Sequence, residues 1–283
     1  MKAKAPKIRL LAVDVDGTLT PGNNKVTPDT RRALQRLHDA GIAITIATGR
    51  RYRTTRAIID EVGMSLPAVC LGGALVKQHD HATVAKEAYA PKDCERIVAL
   101  ARELGQSVVF QHDADIFGTQ DFLVDDALPW NVHTKLYFEN SAPLSHRGDA
   151  IADDHGMDVL VIGLFGAEPD LRRFERAATE RFGDKLAMTI VPSSLPGGGS
   201  YCEVRQAHVS KWSGLKHLAA ELDIPLDEIC AVGDEVNDLP MIENAAASVA
   251  MGNGHADVKS AADWVTDRHD EDGLVGVVDW ILG

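Results

Sequence analysis

Read for hydrophobic periodicity, the chain falls into three stretches. The first alternates short apolar runs with amphipathic segments. Arg9–Val15 (RLLAVDV) has strand length and ends in acids and Gly17. Thr27-Pro28-Asp29 reads as a helix start, with Thr27 as N-cap and Pro28 at the first helical position. Ala33, Leu34, Leu37 and Ala40 then supply an apolar face that stops at Gly41. Ile42–Ala47 is a second strand, Tyr52–Val62 a second helix ended by Gly63, and Pro67–Val76 a third strand with a glycine break. Continuous apolar strands joined by single helices predict a parallel sheet covered on both faces.

The middle stretch has more strands per helix. Strands are predicted at Val108–Gln111, Lys135–Glu139, Asp158–Phe165, Leu186–Val191 and Tyr201–Val204, with helices near Pro91–Leu104 and Glu168–Phe182. This pattern suggests an α+β module with an antiparallel sheet, returning through the Pro-, Gly- and Ser-rich loop Pro192–Ser200. The last stretch resumes strict alternation. Ser210 caps a helix whose apolar face is Trp212, Leu215, Leu218, Ala219 and Leu222. Strand Glu228–Gly233, helix Asp238–Asn244, strand Ser248–Met251, helix Ala256–Ala262, a short strand near Trp264–Thr266 and helix Leu274–Leu282 follow. The expected fold is α/β: a doubly wound, Rossmann-like parallel-sheet core from residues 1–84 and 206–283, with an α+β domain, 85–205, inserted after the third strand.

Composition narrows the partners. The 283 residues carry a net charge of −13, with 45% apolar and 25% charged positions, which are globular values. Nucleic acid and anionic membrane are not expected as partners, because both are bound through clustered Lys and Arg. A small anionic substrate at a local positive site remains compatible. Cys70, Cys94, Cys202 and Cys230 form no C-x-x-C pair and fit no zinc spacing. Cys70 and Cys230 lie in apolar runs, and reduced thiols in a cytoplasmic setting are the expectation. The basic start is followed by no signal-peptide pattern, and no run approaches the roughly 20 apolar residues of a membrane span. Oligomeric state is left open.

Chemistry-bearing residues gather at three strand ends: Asp14-x-Asp16-Gly17-Thr18, Thr48-Gly49-Arg50, and Gly233-Asp234-Glu235-Val236-Asn237-Asp238. In an open parallel sheet the ligand crevice lies beyond the carboxyl ends of the strands, so these clusters should converge. Carboxylates brought that close raise one another's pKa or bind a cation. Oxygen ligands open to phosphate favour Mg²⁺. Lys211, in the first turn of the Ser210-capped helix, is the candidate to offset the remaining charge and let a phosphate dianion approach, with Arg50 as further help.

The set resembles the haloacid dehalogenase superfamily of phosphohydrolases, and within it the Cof-type phosphatases with a large α+β cap. Asp14-Val15-Asp16-Gly17-Thr18-Leu19-Thr20 matches the first motif, Ala47-Thr48-Gly49-Arg50 the second, Lys211 the third, and Gly233-Asp234 through Asn237-Asp238 the fourth. Asp272-Gly273-Leu274-Val275 is similar to the closing helix of that family. The resemblance implies Asp14 as nucleophile forming an aspartyl-phosphate, Asp16 as acid and base, and Lys211 as charge neutraliser. It implies Thr48, the Gly49 amide, Arg50 and Asn237 as substrate contacts. Mg²⁺ would lie on Asp14, Asp234 and the Asp16 carbonyl, with Asp238 supporting the metal or orienting Lys211. The implied reaction is Mg²⁺-dependent hydrolysis of a small phosphorylated metabolite, such as a sugar phosphate or phosphorylated cofactor, with the inserted domain closing as a lid that selects the leaving group.

Two other readings share the chemistry: a phosphomutase or phosphotransferase with the same intermediate, and a non-enzymatic phospho-receiver module. The placement of Asp16 and the inserted domain argue against the latter. The sequence departs from the family pattern at Leu71-Gly72-Gly73-Ala74, where Asn-Gly-Ala is frequent, and at Glu235 and Trp212. His79-Asp80-His81 reads as an exposed polar turn, the His112, Asp113, Asp115 group likewise, Trp130 and His133 as packing or surface residues, and Gly197-Gly198-Gly199 as a connector.

Overall fold

The computed structural model of the chain describes residues 5–21, 24–113, 120–141, 144–151, 158–193 and 197–283. Its first strand, β1 (Leu10–Val13), is buried throughout. Helix α1 (Pro28–Asp39) begins as its sequence requires: the Thr27 side chain accepts from the Thr30 amide, and Ala33, Leu34 and Leu37 are its buried face. It leads to β2 (Ala43–Ala47), α2 (Tyr52–Val62) and β3 (Ala68–Cys70).

At β3 the structure corrects the sequence reading. Pro67–Val76 is not one strand: Leu71, Gly72 and Gly73 form a 3₁₀ turn with φ of 51°, 62° and 108°. Three successive left-handed residues reverse the chain, so β4 (Leu75–Lys77) runs antiparallel to β3, and β5 (Thr83–Lys86) antiparallel to β4. The parallel sheet therefore carries an antiparallel edge, as open α/β sheets often do.

The chain divides into two compact units, Met1–Lys86 with Val209–Gly283, and Glu87–His208. The second unit contains α3 (Pro91–Glu103), β6 (Val108–Gln111), β7 (Phe122–Asp125), α4 (Val132–Ser141), β8 (Ser145–Gly148), β9 (Val161–Gly166), α5 (Glu168–Phe182), β10 (Leu186–Pro192) and β11 (Ser200–Gln206). Its sheet has the order β10-β11-β9-β6-β7-β8 and is antiparallel except for the β7–β8 pair. Two expectations change here. Lys135–Glu139 is helix, because Trp130, Thr134, Tyr137 and Phe138 recur at helical spacing and the Asn131 carboxamide accepts from the amides of His133 and Thr134. Helix α4 is the crossover that makes β7 and β8 parallel, and its Tyr137 stacks on Phe165 of β9 at 4.0 Å between ring centroids. Strands β7 and β8 have no counterpart in the sequence prediction: β7 is a short apolar run (FLVD), and β8 (SHRG) has no apolar alternation.

The first unit resumes with α6 (Lys211–Glu221), β12 (Ile229–Gly233), α7 (Leu239–Ile242), β13 (Ala247–Ala250), α8 (Ala256–Ala261), β14 (Trp264–Val265) and α9 (Gly273–Leu282). Its sheet order is β14-β13-β12-β1-β2-β3-β4-β5, so β1 lies between β12 and β2 and pairs in parallel with both. The carboxyl ends of β1, β2, β12 and β13 thus lie along one edge. No helix among the described residues is long and apolar enough to cross a membrane.

The β3–β4 reversal also seats α6. A Cβ on Gly73 would lie 1.9 Å from the Ser210 carbonyl oxygen, so this glycine is where the turn touches the start of α6. Gly73→Ala should lose about 3 kcal/mol or more of stability in urea unfolding, combining left-handed strain with a clash against backbone. Gly63→Ala, where φ is 80° but nothing lies within 4 Å, should lose only about 1 kcal/mol. Equal losses would show that contact with α6 contributes nothing.

Candidate active site

Asp14 follows β1 directly, and its amide still donates to the Val232 carbonyl of β12 at 3.1 Å, extending the ladder by one residue. The chain then turns tightly, with the amides of Leu19 and Thr20 donating back to the carbonyls of Asp14 and Val15. Asp14 is buried as a result, whereas Asp16, two residues on, is exposed. Lys211 enters from α6, whose start is fixed by a reciprocal cap: the Ser213 amide donates to the Ser210 hydroxyl oxygen, and the Ser210 amide to that of Ser213. Its ammonium donates to Asp14 Oδ1 at 2.6 Å and to Asp238 Oδ1 at 2.5 Å, and the side chain is only 1% exposed.

Asp238 uses its second oxygen to accept from the amides of Asp234 (2.9 Å) and Glu235 (3.0 Å). Both of its oxygens are thus engaged, one by Lys211 and the other by the β12 loop. Asp234 points its carboxylate toward the β1 loop, where the Thr18 hydroxyl donates to Oδ1 at 2.8 Å. A Cβ on Gly17 would lie 2.3 Å from Asp234 Oδ2, so only glycine permits this approach.

Asp14, Asp234 and Asp238 each offer an oxygen within 4.8 Å of the others, the one such group among the described residues. Burial pushes the Asp14 carboxyl up to about 8, with Asp238 and Asp234 adding to it and Lys211 opposing. Burial likewise lifts Asp234 to about 6, with the Thr18 hydrogen bond opposing and Asp238 adding. For Lys211 burial acts downward, but the charges of Asp14 and Asp238 outweigh it and hold the ammonium above its ordinary value. Two raised carboxylates beside a protonated lysine form a hard-oxygen pocket short of positive charge, and a divalent cation fits that set.

Of the remaining predicted residues, Thr48 is buried at the end of β2 and its Oγ1 accepts from the Arg50 amide at 3.2 Å. Gly49 is half-buried, and a Cβ there would lie 4.0 Å from Nδ2 of the exposed Asn237, which brings the second and fourth motifs together. The Arg50 guanidinium grips Asp16: Nε donates to Oδ2 at 2.7 Å and one Nη to Oδ1, the same Nη also donating to Asn24 Oδ1 at 2.7 Å. Glu235 is exposed and accepts from its neighbouring Val236 amide. Trp212 packs against the apolar core of its unit.

Groups outside the edge have packing roles. The ring of His81 meets the Tyr52 hydroxyl at 2.7 Å and the Arg56 guanidinium, tying the His79-Asp80-His81 turn to α2. Trp130 Nε1 donates to the Asp125 carbonyl at 2.6 Å, and His133 Nδ1 meets the Gly198 carbonyl at 3.1 Å. His112 stands 6.0 Å from His146 between ring centroids. Asp115 and residues 194–196 of the Pro192–Ser200 loop lie outside the described residues. Sequence reasoning missed Asn253, whose carboxamide donates to the Gly17 carbonyl and to Asp234. Its position in Gly252-Asn253-Gly254, just past a core strand, was the available signal.

Comparison with known proteins gives the same picture over nearly the whole length. The family model of haloacid dehalogenase-like hydrolases matches residues 11–278. Phosphatase YwpJ of Bacillus subtilis is 28% identical over 294 residues, covering 97% of this chain and 100% of that protein. The 5-amino-6-(5-phospho-D-ribitylamino)uracil phosphatase YitU of the same organism is 28% identical and covers 94% of each chain. Among solved structures, BT1666 of Bacteroides thetaiotaomicron, described as a phosphatase of the haloalkanoate superfamily, superposes with a TM-score of 0.77 at 28% identity, over 97% of this chain and 95% of that one. The match over 11–278 takes in all four motifs that meet at the sheet edge, and the chain belongs to the haloacid dehalogenase-like hydrolase family.

Proposed function

We propose that this chain is a Mg²⁺-dependent phosphatase of small phosphate monoesters, working through an aspartyl-phosphate on Asp14. The observation that carries the reading is the buried Asp14 carboxylate, held by Lys211 Nζ at 2.6 Å and set beside Asp234 at the edge of the core sheet. Asp14, Asp234 and the Asp16 carbonyl would hold the cation. When bound, Mg²⁺ would neutralise carboxylate charge and let a phosphate dianion approach.

The residues then divide the work. An Asp14 oxygen attacks phosphorus, and the bond from phosphorus to the ester oxygen breaks. Asp16 gives that leaving oxygen its proton, then takes a proton from the water that attacks the aspartyl-phosphate, so that phosphate leaves and Asp14 is restored. Lys211 stays charged throughout, because Asp238 holds it from the other side, and it offsets negative charge on Asp14 and the phosphoryl group. Thr48, the Gly49 amide and Asn237 would surround the phosphoryl oxygens. An arriving phosphate competes with Asp16 for the Arg50 guanidinium, and in drawing Arg50 over it frees Asp16 for proton transfer. The substrate class, phosphorylated sugars or cofactors, is supported by the name of YitU, which gives it a phosphorylated ribityl-pyrimidine.

Three outcomes are expected. The purified chain should hydrolyse para-nitrophenyl phosphate with Mg²⁺ and stop in EDTA. Asp14→Asn should lower kcat at least about 1,000-fold, and full turnover by that variant would remove the nucleophile assignment. Asp16→Asn should lower kcat about 100-fold or more, with a phosphoenzyme that survives acid quench and is cleaved by hydroxylamine detectable by mass spectrometry, and unchanged kinetics would remove its acid and base role.

The raised carboxyls also predict a pH dependence. Without metal, their stabilising effect is present at low pH and is lost as pH rises through about 6 for Asp234 and about 8 for Asp14. Mg²⁺ binds the deprotonated forms, so it should raise Tm more at pH 8 than at pH 5.5. A pH-independent gain in differential scanning fluorimetry would mean that the cation does not bind these carboxylates.

A further inference from the structure

Asn253 follows β13 on the edge where the catalytic motifs meet. Its carboxamide is fully used: Nδ2 donates to the Gly17 carbonyl at 2.8 Å and to Asp234 Oδ2 at 3.3 Å, while Oδ1 accepts from the His269 amide at 3.0 Å. The opposite orientation would set an oxygen against two oxygens and an NH₂ against an N–H, so the surroundings admit one orientation only. The backbone on either side is held as well. Lys259 Nζ donates to the Gly252 carbonyl at 2.7 Å, and the His255 amide donates to the Asp234 carbonyl at 2.7 Å. A Cβ on Gly254 would lie 3.1 Å from that same Asp234 oxygen, so this loop rests directly on the Asp234 backbone.

Asp234 is therefore gripped on both oxygens, by the Thr18 hydroxyl at Oδ1 and by Asn253 at Oδ2. We propose that Asn253 is a positioning residue for the cation site. It sets the direction in which Asp234 presents its carboxylate, and it fixes the peptide next to the Asp16 carbonyl by holding Gly17. The proposal rests on the Mg²⁺ reading above. The physical reason is electrostatic: beside Asp14 and Asp238, an untethered Asp234 carboxylate would turn away from like charge. Donors on both oxygens keep it in place before a cation arrives. One carboxamide reaches both metal-binding loops, so their spacing is set by a single rigid group.

The test is calorimetric titration of Mg²⁺ into the metal-free full chain, with turnover measured across Mg²⁺ concentration. Asn253→Ala should weaken Mg²⁺ binding about 10- to 100-fold, and the turnover lost at low Mg²⁺ should return at high Mg²⁺. Thr18→Val, which frees the other oxygen of the same carboxylate, should also weaken binding. The double variant should weaken it by less than the product of the single effects, because both bonds hold one group. Should Asn253→Ala not fold, Asn253→Gln carries the test, since its extra methylene moves the amide off both acceptors. Wild-type Mg²⁺ affinity in a folded Asn253 variant, or turnover that high Mg²⁺ does not restore, overturns the proposal alone. A wild-type chain that takes up no Mg²⁺ overturns both the proposal and the reading beneath it.

Discussion

The ammonium of Lys211 sits inside the first unit, bonded to Asp14 on one side and Asp238 on the other. A buried charge without partners costs several kcal/mol, so each of the three groups is tolerable only in the presence of the others. That mutual need sets much of the local structure. Asp238 must also hold the β12 loop through the amides of Asp234 and Glu235. Ser210 must cap α6 so that its first residue points inward, and Gly73 must lack a side chain so that α6 can start where it does. Burial, with one positive charge facing Asp14, Asp238 and Asp234, raises the Asp14 and Asp234 carboxyls.

Asp14 and Asp16 show how environment separates two identical side chains. Asp14 continues a buried strand and meets Lys211, while Asp16 emerges past the turn into solvent and meets Arg50. One is fixed by burial and by the Lys211 ammonium. The other is held by an exposed ion pair, which contributes little stability and exchanges partners readily.

Much of this was legible in the chain. Buried parallel strands appear as continuous apolar runs, and helix caps such as Thr27 and Ser210 are local chemistry that a sequence displays directly. Motif residues were legible because they follow strands, and a parallel sheet collects strand ends. The inserted unit was less so. Lys135–Glu139 by itself has the length and aromatic content of a strand, and only the helical spacing of its aromatic neighbours marks it as helix, while Ser145–Gly148 is a strand only because β7 is beside it. The β3–β4 reversal is not legible in the sequence because Leu71 adopts φ of 51°, which a leucine does not advertise.

The sequence by itself determined the alternation of elements, a first unit interrupted by a second, and the gathering of Asp14, Asp16, Thr48, Arg50, Asp234 and Asp238 at strand ends. These follow from local periodicity and from residue type at strand ends. Tertiary structure alone decided the pairings. Asp238 goes to Lys211 and to backbone, Arg50 goes to Asp16, and Asn253 joins Gly17 to Asp234 across more than two hundred residues of chain. Such choices depend on hydrogen-bond distances set to within a few tenths of an ångström between side chains remote in sequence, and no local pattern encodes them.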